Sequence, residues 1–411
     1  MRFLHTADWQ IGMTRHWLTG DAQARFGAAR IEAIRSVGRV AREQECEFVV
    51  VAGDVFESNQ LQPQTVLRAL EALREVEVPV YLLPGNHDPL DAMSVYRQPT
   101  FVQSCPPHVH VLDGSGPVPV RAGVEILAAP WHGKHPDTDL VATILSRVGP
   151  ADGTVRVVVG HGVVDVLDPR RDNPAAIATA PLEQALAQGR IHYVALGDRH
   201  SRTCVGGSGA IWYAGAPEVT DPREEAPGDV LVVAVSDRDD DGDHAAPVVT
   251  RHRVGTWEFG VWHRGLAGLS DVQRLDAELS AVGNKDRTVL KLALRGTLSL
   301  AEFTHLSETL ARHDAVFGGL REWDRHTDLV VLTDDADWLD CGLGGFVAAA
   351  AHEIDGHAVR PSRPGPVLDA DGALGGGAAA EWRFDPSRPD DADSARDALA
   401  LLYRLTRQGV R

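Results

Sequence analysis

Asp, Asn, Gln and His recur in this sequence directly after short apolar runs. Leu83-Pro84-Gly85-Asn86-His87-Asp88 caps the run Val78 to Leu83. Asp8-Trp9-Gln10 follows Phe3 to Ala7, Gly53-Asp54 follows Phe48 to Ala52, Gly160-His161 follows Val155 to Val159, and Gly197-Asp198-Arg199-His200 follows Ile191 to Leu196. A short apolar run bounded by turn residues reads as a buried strand, and open α/β sheets place their chemistry at the carboxyl ends of such strands. Each ending alone has an ordinary explanation, since Asn and Asp form turns and a lone His is most often structural. Five such endings in the first half of the chain make a site. The tips are metal-ligand types, and none is a Ser or Cys nucleophile.

Asp8 and Gln10 are two residues apart, and so are Asp198 and His200. Alternate residues of an extended chain point the same way, so each pair is expected to offer two donors to one side. With Asp54, Asn86 and His161 the inventory is seven oxygen or nitrogen donors, enough for two ions sharing one carboxylate. Two ions roughly 3.5–4 Å apart clamp the attacking and leaving oxygens of a phosphoryl displacement. His87 is surplus to the ligands and placed to protonate the leaving oxygen, with Asp88 to orient it. For Asp88, an Asp-Pro turn with Pro89 is an equally good reading.

The elements that must carry these tips alternate. A helix is expected over 22–44, with Phe26, Ala29, Ala33, Val37 and Val40 forming its sheet-facing stripe. A second helix over 64–75 precedes the Asn86 strand, and the order β-α-β-α-β is the doubly wound α/β signature, which predicts right-handed crossovers. Further strands are expected over 124–129, 210–213 and 230–235, with a helix over 182–188. Trp131 and His132, after the 124–129 strand, either flank the site or are ordinary strand-end residues. Arg170 and Arg171 read either as phosphate contacts or as solvated surface. From Trp257 a smaller alternation begins: strands over 257–263, 289–294 and 328–332, and helices over 272–282 and 300–312. Beyond His357 the chain is rich in Pro and Gly, and Ser394 to Arg407 is amphipathic through Ala398, Leu401, Leu402 and Leu405.

A chain of 411 residues supports two or three domains with a large core. No apolar stretch reaches the ~18 residues that a membrane span needs, and the amino-terminal strand lacks the features of a signal peptide, so the expected address is cytoplasmic. Cys46, Cys105, Cys204 and Cys341 are scattered without a CxxC pair, which argues against a disulfide frame or zinc ribbon. The net charge of −18 argues against loose binding to duplex DNA by this chain alone. Part of that acidity falls in surface segments such as 237–243 and 390–393, and two divalent ions would restore positive potential at the site.

Taken together, Asp8-x-Gln10, Gly53-Asp54, Gly85-Asn86-His87-Asp88, Gly160-His161 and Gly197-Asp198-x-His200 resemble the calcineurin-like metallophosphoesterases. Within that superfamily, His5-Thr6-Ala7-Asp8-Trp9-Gln10-Ile11-Gly12, Tyr193 to Gly197 and Tyr213-Ala214-Gly215-Ala216-Pro217 look like the SbcD-type DNA repair exonucleases, over roughly residues 1 to 335. The resemblance implies a metallophosphoesterase sandwich over 1–251 and a smaller α/β capping domain over 252–357. A Gly/Pro-rich linker and C-terminal amphipathic helix are expected over 358–411. It implies that Asp8, Gln10, Asp54 and His200 hold a first ion, that Asp54 bridges, and that Asn86, His161 and Asp198 complete a second. His87 would be the catalytic histidine. Mn2+, with Mg2+ as the alternative, would be the cofactor, and DNA ends or single-stranded DNA the substrate. An SbcC-type SMC-like ATPase would be the partner, in a double-strand-break processing complex, and the family suggests a homodimer.

Two departures stand out. The family usually has His at the positions of Gln10 and Asp198, and both replacements exchange imidazole nitrogen for oxygen, which favours manganese or magnesium over zinc. Lower affinity for one ion and a more alkaline pH optimum are expected. Two rival readings remain at this level: a catalytically weakened DNA-binding scaffold subunit, and a phosphodiesterase for small nucleotides. Against the first, all seven positions carry competent donors and His87 is intact.

Overall fold

The computed structural model describes residues 1–332 apart from 19, 115, 171 and 237–245, together with 349, 353, 354 and 398. The expected linker over 358–411 and its helix lie outside the described residues except for position 398, as do Arg171 and the acidic segments. The chain divides into two compact units. One is Met1–Gly260 with Asp286–Val289, and the other is Val261–Lys285 with Leu290 onward.

The first unit opens with β1 (Arg2–Thr6), α1 (Ala22–Glu43), β2 (Val49–Val51), α2 (Pro63–Arg74) and β3 (Val80–Leu82), the alternation read from the sequence. It continues through α3 (Pro99–Ser104), β4 (Val109–Val111), β5 (Val118–Arg121), β6 (Val124–Ala128), α4 (Leu140–Leu145), β7 (Val155–His161), α5 (Thr179–Ala187) and β8 (Tyr193–Gly197). β9 (Thr203–Val205), β10 (Ile211–Tyr213), β11 (Asp229–Ala234) and β12 (Val248–Arg253) complete it.

These strands make two six-stranded sheets, ordered β12-β11-β1-β2-β3-β4 and β5-β6-β7-β8-β10-β9. β1 to β4 are mutually parallel, so the ends of β1, β2 and β3 emerge at one edge. β6, β7, β8 and β10 are likewise parallel, and His161 of β7 sits opposite Gly197 of β8. Antiparallel strands occur only toward the margins of each sheet.

Alternation along each strand builds the layers. Phe3, Val50, Tyr81, Ile126, Val157, Val159, Tyr193 and Ala195 pack sheet against sheet. Leu4, Val49, Val51 and Leu82 face the other way onto Ile34, Val37, Leu70 and Leu73 of α1 and α2. Val158, Val194 and Leu196 meet Leu182 and Ala185 of α5. The result is a four-layered α/β sandwich, and a strand covered on both faces is apolar throughout, as β2 is. Each large apolar side chain so buried contributes about 1.5–3 kcal/mol. Polar side chains concentrate where the strands stop.

The second unit carries most of β13 (Glu258–Leu266) and β14 (Thr288–Ser299), with α6 (Leu269–Ala281), α7 (Leu300–Asp314), β15 (Gly319–Glu322) and β16 (Asp328–Leu332). The sheet order is β13-β14-β15, and β16 pairs with β14 in parallel. Val272, Leu275 and Leu279 of α6 and Leu306 of α7 bury against Leu290, Leu292 and Leu294. Ser299 and Glu302 form a capping box at the start of α7. None of the seven candidate donors lies here. Among the described residues, no helix is long and apolar enough to cross a membrane.

Candidate metal centre

Apart from His161, the last residue of β7, the donors sit on backbone that has already left the strands. β1 ends at Thr6, and Asp8 and Gln10 have φ of 53° and 44°. Asp54 has φ 52° and Asp198, just past β8, has φ 95°. The extended-strand geometry expected for the Asp8/Gln10 and Asp198/His200 pairs is therefore replaced by left-handed turns. Each costs about 1–3 kcal/mol for a residue other than glycine and persists only where its surroundings over-determine it. Here Asp8 N–H donates to the Gly53 carbonyl at 3.0 Å and Gln10 N–H to that of Asp54 at 2.9 Å, lacing the first two loops together.

Glycines before the donors serve close approach. A Cβ on Gly85 would lie 2.2 Å from Asp54 Oδ1, and one on Gly53, whose φ is +95°, would lie 2.0 Å from His161 Nδ1.

Asp8, Asp54, Asn86, His161 and Asp198 meet at the strand ends, and Gln10 pairs with His200. Asp8, Asp54 and His161 are buried and each offers an atom within 4.8 Å of the others, an arrangement able to hold a metal ion. His161 Nε2 lies 2.8 Å from Asn86 Oδ1, 3.4 Å from Asp54 Oδ1 and 3.9 Å from Asp198 Oδ1. The Asp198 N–H donates to Asp8 Oδ1 at 3.0 Å. Gln10 Nε2 is 3.1 Å from His200 Nε2, while the buried Gln10 Oε1 has no partner. A buried, orphaned amide oxygen is a donor that a site for a hard cation can use.

The electrostatics make the same demand. Burial pushes the Asp8 carboxyl up to about 7, against the pull of His200 and His161. Burial also opposes charge on His161, yet Asp54, Asp8 and Asp198 outweigh it and raise its pKa well above the ordinary value. Burial would raise Asp54 as well, but His161 and then His87 hold it below the usual carboxylate range. His200 is raised to about 9 despite burial, by its hydrogen bond to Glu224 and the charge of Asp8. Acids gathered this closely out of water recruit positive charge, and a divalent ion supplies it more compactly than protonated imidazole.

His87 stands at the rim with its side chain 36 % exposed and Nε2 4.0 Å from Asp54 Oδ2. Its Nδ1 meets the Glu57 carbonyl at 2.9 Å, and a carbonyl only accepts, so that nitrogen carries the proton and Nε2 faces the cluster. Its own N–H donates to Asp54 Oδ1 at 2.9 Å. Asp88 is fully buried and accepts from Gly85 N–H at 2.8 Å, Phe56 N–H at 2.9 Å and the Tyr96 hydroxyl at 2.6 Å. Its carboxylate binds the loop and not the His87 ring, although the Pro89 turn alone would not have required that burial.

Three supports were not expected. Glu224 and Thr220 lie 2.9 and 2.6 Å from His200 Nδ1. Arg30, fully buried in α1, donates to the carbonyls of Trp9 and Val219, both at 2.9 Å, and so ties the loop of Gln10 to the loop of Thr220. Burial lowers its pKa to about 10, with Glu218 and Glu224 opposing. A charged residue inside the stripe Phe26, Ala33, Val37 was the available signal for Arg30; Glu224, in a run of loop-forming charges, gave none. Trp131 joins the site's frame: its indole N–H donates to the His161 carbonyl at 2.7 Å and its main-chain N–H to that of Pro84 at 3.1 Å.

Residues 1–202 match the family model for calcineurin-like phosphoesterases, and this part of the chain belongs to that family as a metallophosphoesterase domain. Among curated proteins, a stretch of 94 residues is 32 % identical to the DNA double-strand break repair protein Mre11 of Archaeoglobus fulgidus, covering 21 % of this chain and 19 % of that one. A stretch of 98 residues is 30 % identical to the SbcD subunit of the SbcCD nuclease of Bacillus subtilis, covering 23 % and 24 %. The matched stretches thus span no more than about a quarter of these relatives. Among solved structures, TT1561 of Thermus thermophilus aligns over 62 % of this chain and 98 % of its own, at 10 % identity and a TM-score of 0.37, too slight a likeness to carry an argument.

Proposed function

We propose that this chain is a two-metal-dependent DNA phosphodiesterase, an exonuclease with endonuclease capacity, that acts in DNA repair with an SbcC-type ATPase. The observation that carries the reading is the gathering of Asp8, His161 and His87 around the buried Asp54 carboxylate. Asp8, Gln10, Asp54 and His200 would hold one ion, and Asp54, Asn86, His161 and Asp198 the other. When bound, two divalent ions, Mn2+ by preference and Mg2+ as the alternative, activate the attacking water and neutralise charge on the phosphate.

The chain's own residues do the rest. Asp54 is held through Oδ1, which accepts from the His87 main-chain N–H at 2.9 Å and lies 3.4 Å from the His161 imidazole, so the carboxylate that would be shared is preorganised. Asn86, from the same loop as His87, holds its amide oxygen 2.8 Å from His161 Nε2. With Nδ1–H held by the Glu57 carbonyl, protonated His87 has its Nε2–H free to pass to the leaving oxygen. Asp88 would be a positioning residue that holds the Gly85–His87 loop rigid.

DNA as substrate, the ATPase partner and a homodimer rest on the likeness to the repair nuclease subunits, and a cytoplasmic address on the sequence features given above. The test is incubation with Mn2+ of end-labelled linear DNA, single-stranded DNA and bis-p-nitrophenyl phosphate beside an Asp54→Ala control. Cleavage of the DNA that the control lacks supports the reading. Cleavage of the small ester alone favours a small-nucleotide phosphodiesterase, and DNA binding without cleavage favours a scaffold.

A further inference from the structure

We propose that Glu224 is a positioning residue for His200, keeping the imidazole proton on Nδ1 so that Nε2 remains the donor facing the metal centre. The inference rests on the metal-centre reading above and deepens it.

A carboxylate has no proton to give, so the 2.9 Å contact between His200 Nδ1 and Glu224 Oε1 requires the ring nitrogen as donor. The Thr220 hydroxyl, 2.6 Å from the same nitrogen, shares that proton and gives its own to Glu224. Glu224 is itself held: its Oε2 accepts from the Thr220 N–H at 2.8 Å, and its side chain is only 7 % exposed. The loop is anchored beside His200 by the Glu225 N–H, which donates to Ser201 Oγ at 2.8 Å. Gripped on this edge, the ring turns Nε2 toward Gln10, 3.1 Å from its amide nitrogen. A glutamate in a charged surface loop would ordinarily sit in water; this one is sequestered against an imidazole.

The donor set explains what the arrangement is for. On the assignment above, this half of the centre would draw on two carboxylates, Asp8 and Asp54, the neutral amide of Gln10, and His200 as its one nitrogen donor. An amide oxygen is a weak ligand, so the affinity of this half of the centre leans on His200. An imidazole hydrogen-bonded through its other nitrogen to a carboxylate is fixed in tautomer and more basic, and loss of such a partner typically costs ~10–100-fold in metal affinity. Glu224 would thus make up for the weakness of Gln10.

The test uses the full chain and the Glu224→Gln variant, whose carboxamide keeps an acceptor for the Thr220 N–H but can turn its NH2 toward His200. Calorimetric titration with Mn2+ should show one of two sites weakened ~10–100-fold and the other unchanged. With diamagnetic Mg2+ bound, nitrogen NMR of the imidazoles should show His200 of the wild type protonated at Nδ1 alone, its signal assigned by its disappearance in His200→Asn. Unchanged affinity at both sites in Glu224→Gln, or a wild-type His200 protonated at Nε2, overturns the proposal. The wild-type NMR result decides the matter even if the variant fails to fold. Equal Mn2+ uptake by wild type and Asp54→Ala overturns the metal-centre reading itself, and Glu224's role with it.

Discussion

His5 and His161 are both buried histidines, 0 % and 4 % exposed, yet they are driven to opposite charge. His5 lies between the two sheets, where its neighbour is the Tyr193 hydroxyl at 3.1 Å, and burial lowers its pKa to about 3. His161 lies where β7 ends, among Asp54, Asp8 and Asp198, and its pKa is raised well above the ordinary value. Depth is common to both and cannot be the cause. What differs is the company, neutral between the sheets and acidic at the strand ends, so the interior excludes charge and the edge solicits it. The fold keeps these environments a few residues apart on the same strands: β1 runs from Phe3 and His5 in the core to Asp8 just beyond its end.

The comparison breaks most completely at the shared acid. Asp54→Ala should reduce Mn2+-dependent cleavage by at least about a thousandfold, because both ions lose a ligand at once; steady-state assay of end-labelled DNA checks this. If its ring serves the leaving group as proposed, His87→Asn should lower turnover by about a hundredfold or more while leaving Mn2+ binding unchanged. A parallel loss of metal in that variant would count against the assigned role. Arg30→Met should destabilise the fold by about 3–5 kcal/mol in urea unfolding, because the carbonyls of Trp9 and Val219 lose their donor and buried Glu218 loses its counter-charge.

The smallest effect sharpens the other side. His5 has a folded pKa of about 3 against about 6.5 unfolded, so the unfolded chain takes up the proton first as pH falls. The stability held by its neutral form is whole above about pH 6.5. It drains as the pH drops toward 3, by up to about 1.4 kcal/mol per pH unit. His5→Asn should therefore show a shallower acid limb of urea midpoints between pH 6 and 4, and an unchanged slope would refute the buried neutral state.

Much of this was legible because the site obeys the strand grammar. An apolar run that stops at Gly and then Asp, Asn or His marks both the end of a buried strand and the donor that follows, which is how Asp54, Asn86, His161 and Asp198 could be read. The alternations of both units were visible from helix stripes such as Val272, Leu275 and Leu279. Short marginal strands such as β4, β5, β9 and β12 were not, since strands exposed on one side lose the continuous apolar signature. Nor was the route by which Asp8 and Gln10 meet, because left-handed φ in a non-glycine residue leaves no mark in composition. Glu224 was invisible for a related reason: its importance comes from a fold-back onto His200 across 24 residues of chain.

The claim that two ions share Asp54 is tested most directly by electron paramagnetic resonance during Mn2+ titration of the purified chain. The account predicts two Mn2+ per chain with the exchange-coupled signal of a bridged pair, and loss of that coupling in Asp54→Ala. A single isolated Mn2+ signal at saturation, or a coupled pair that survives the removal of Asp54, would contradict it.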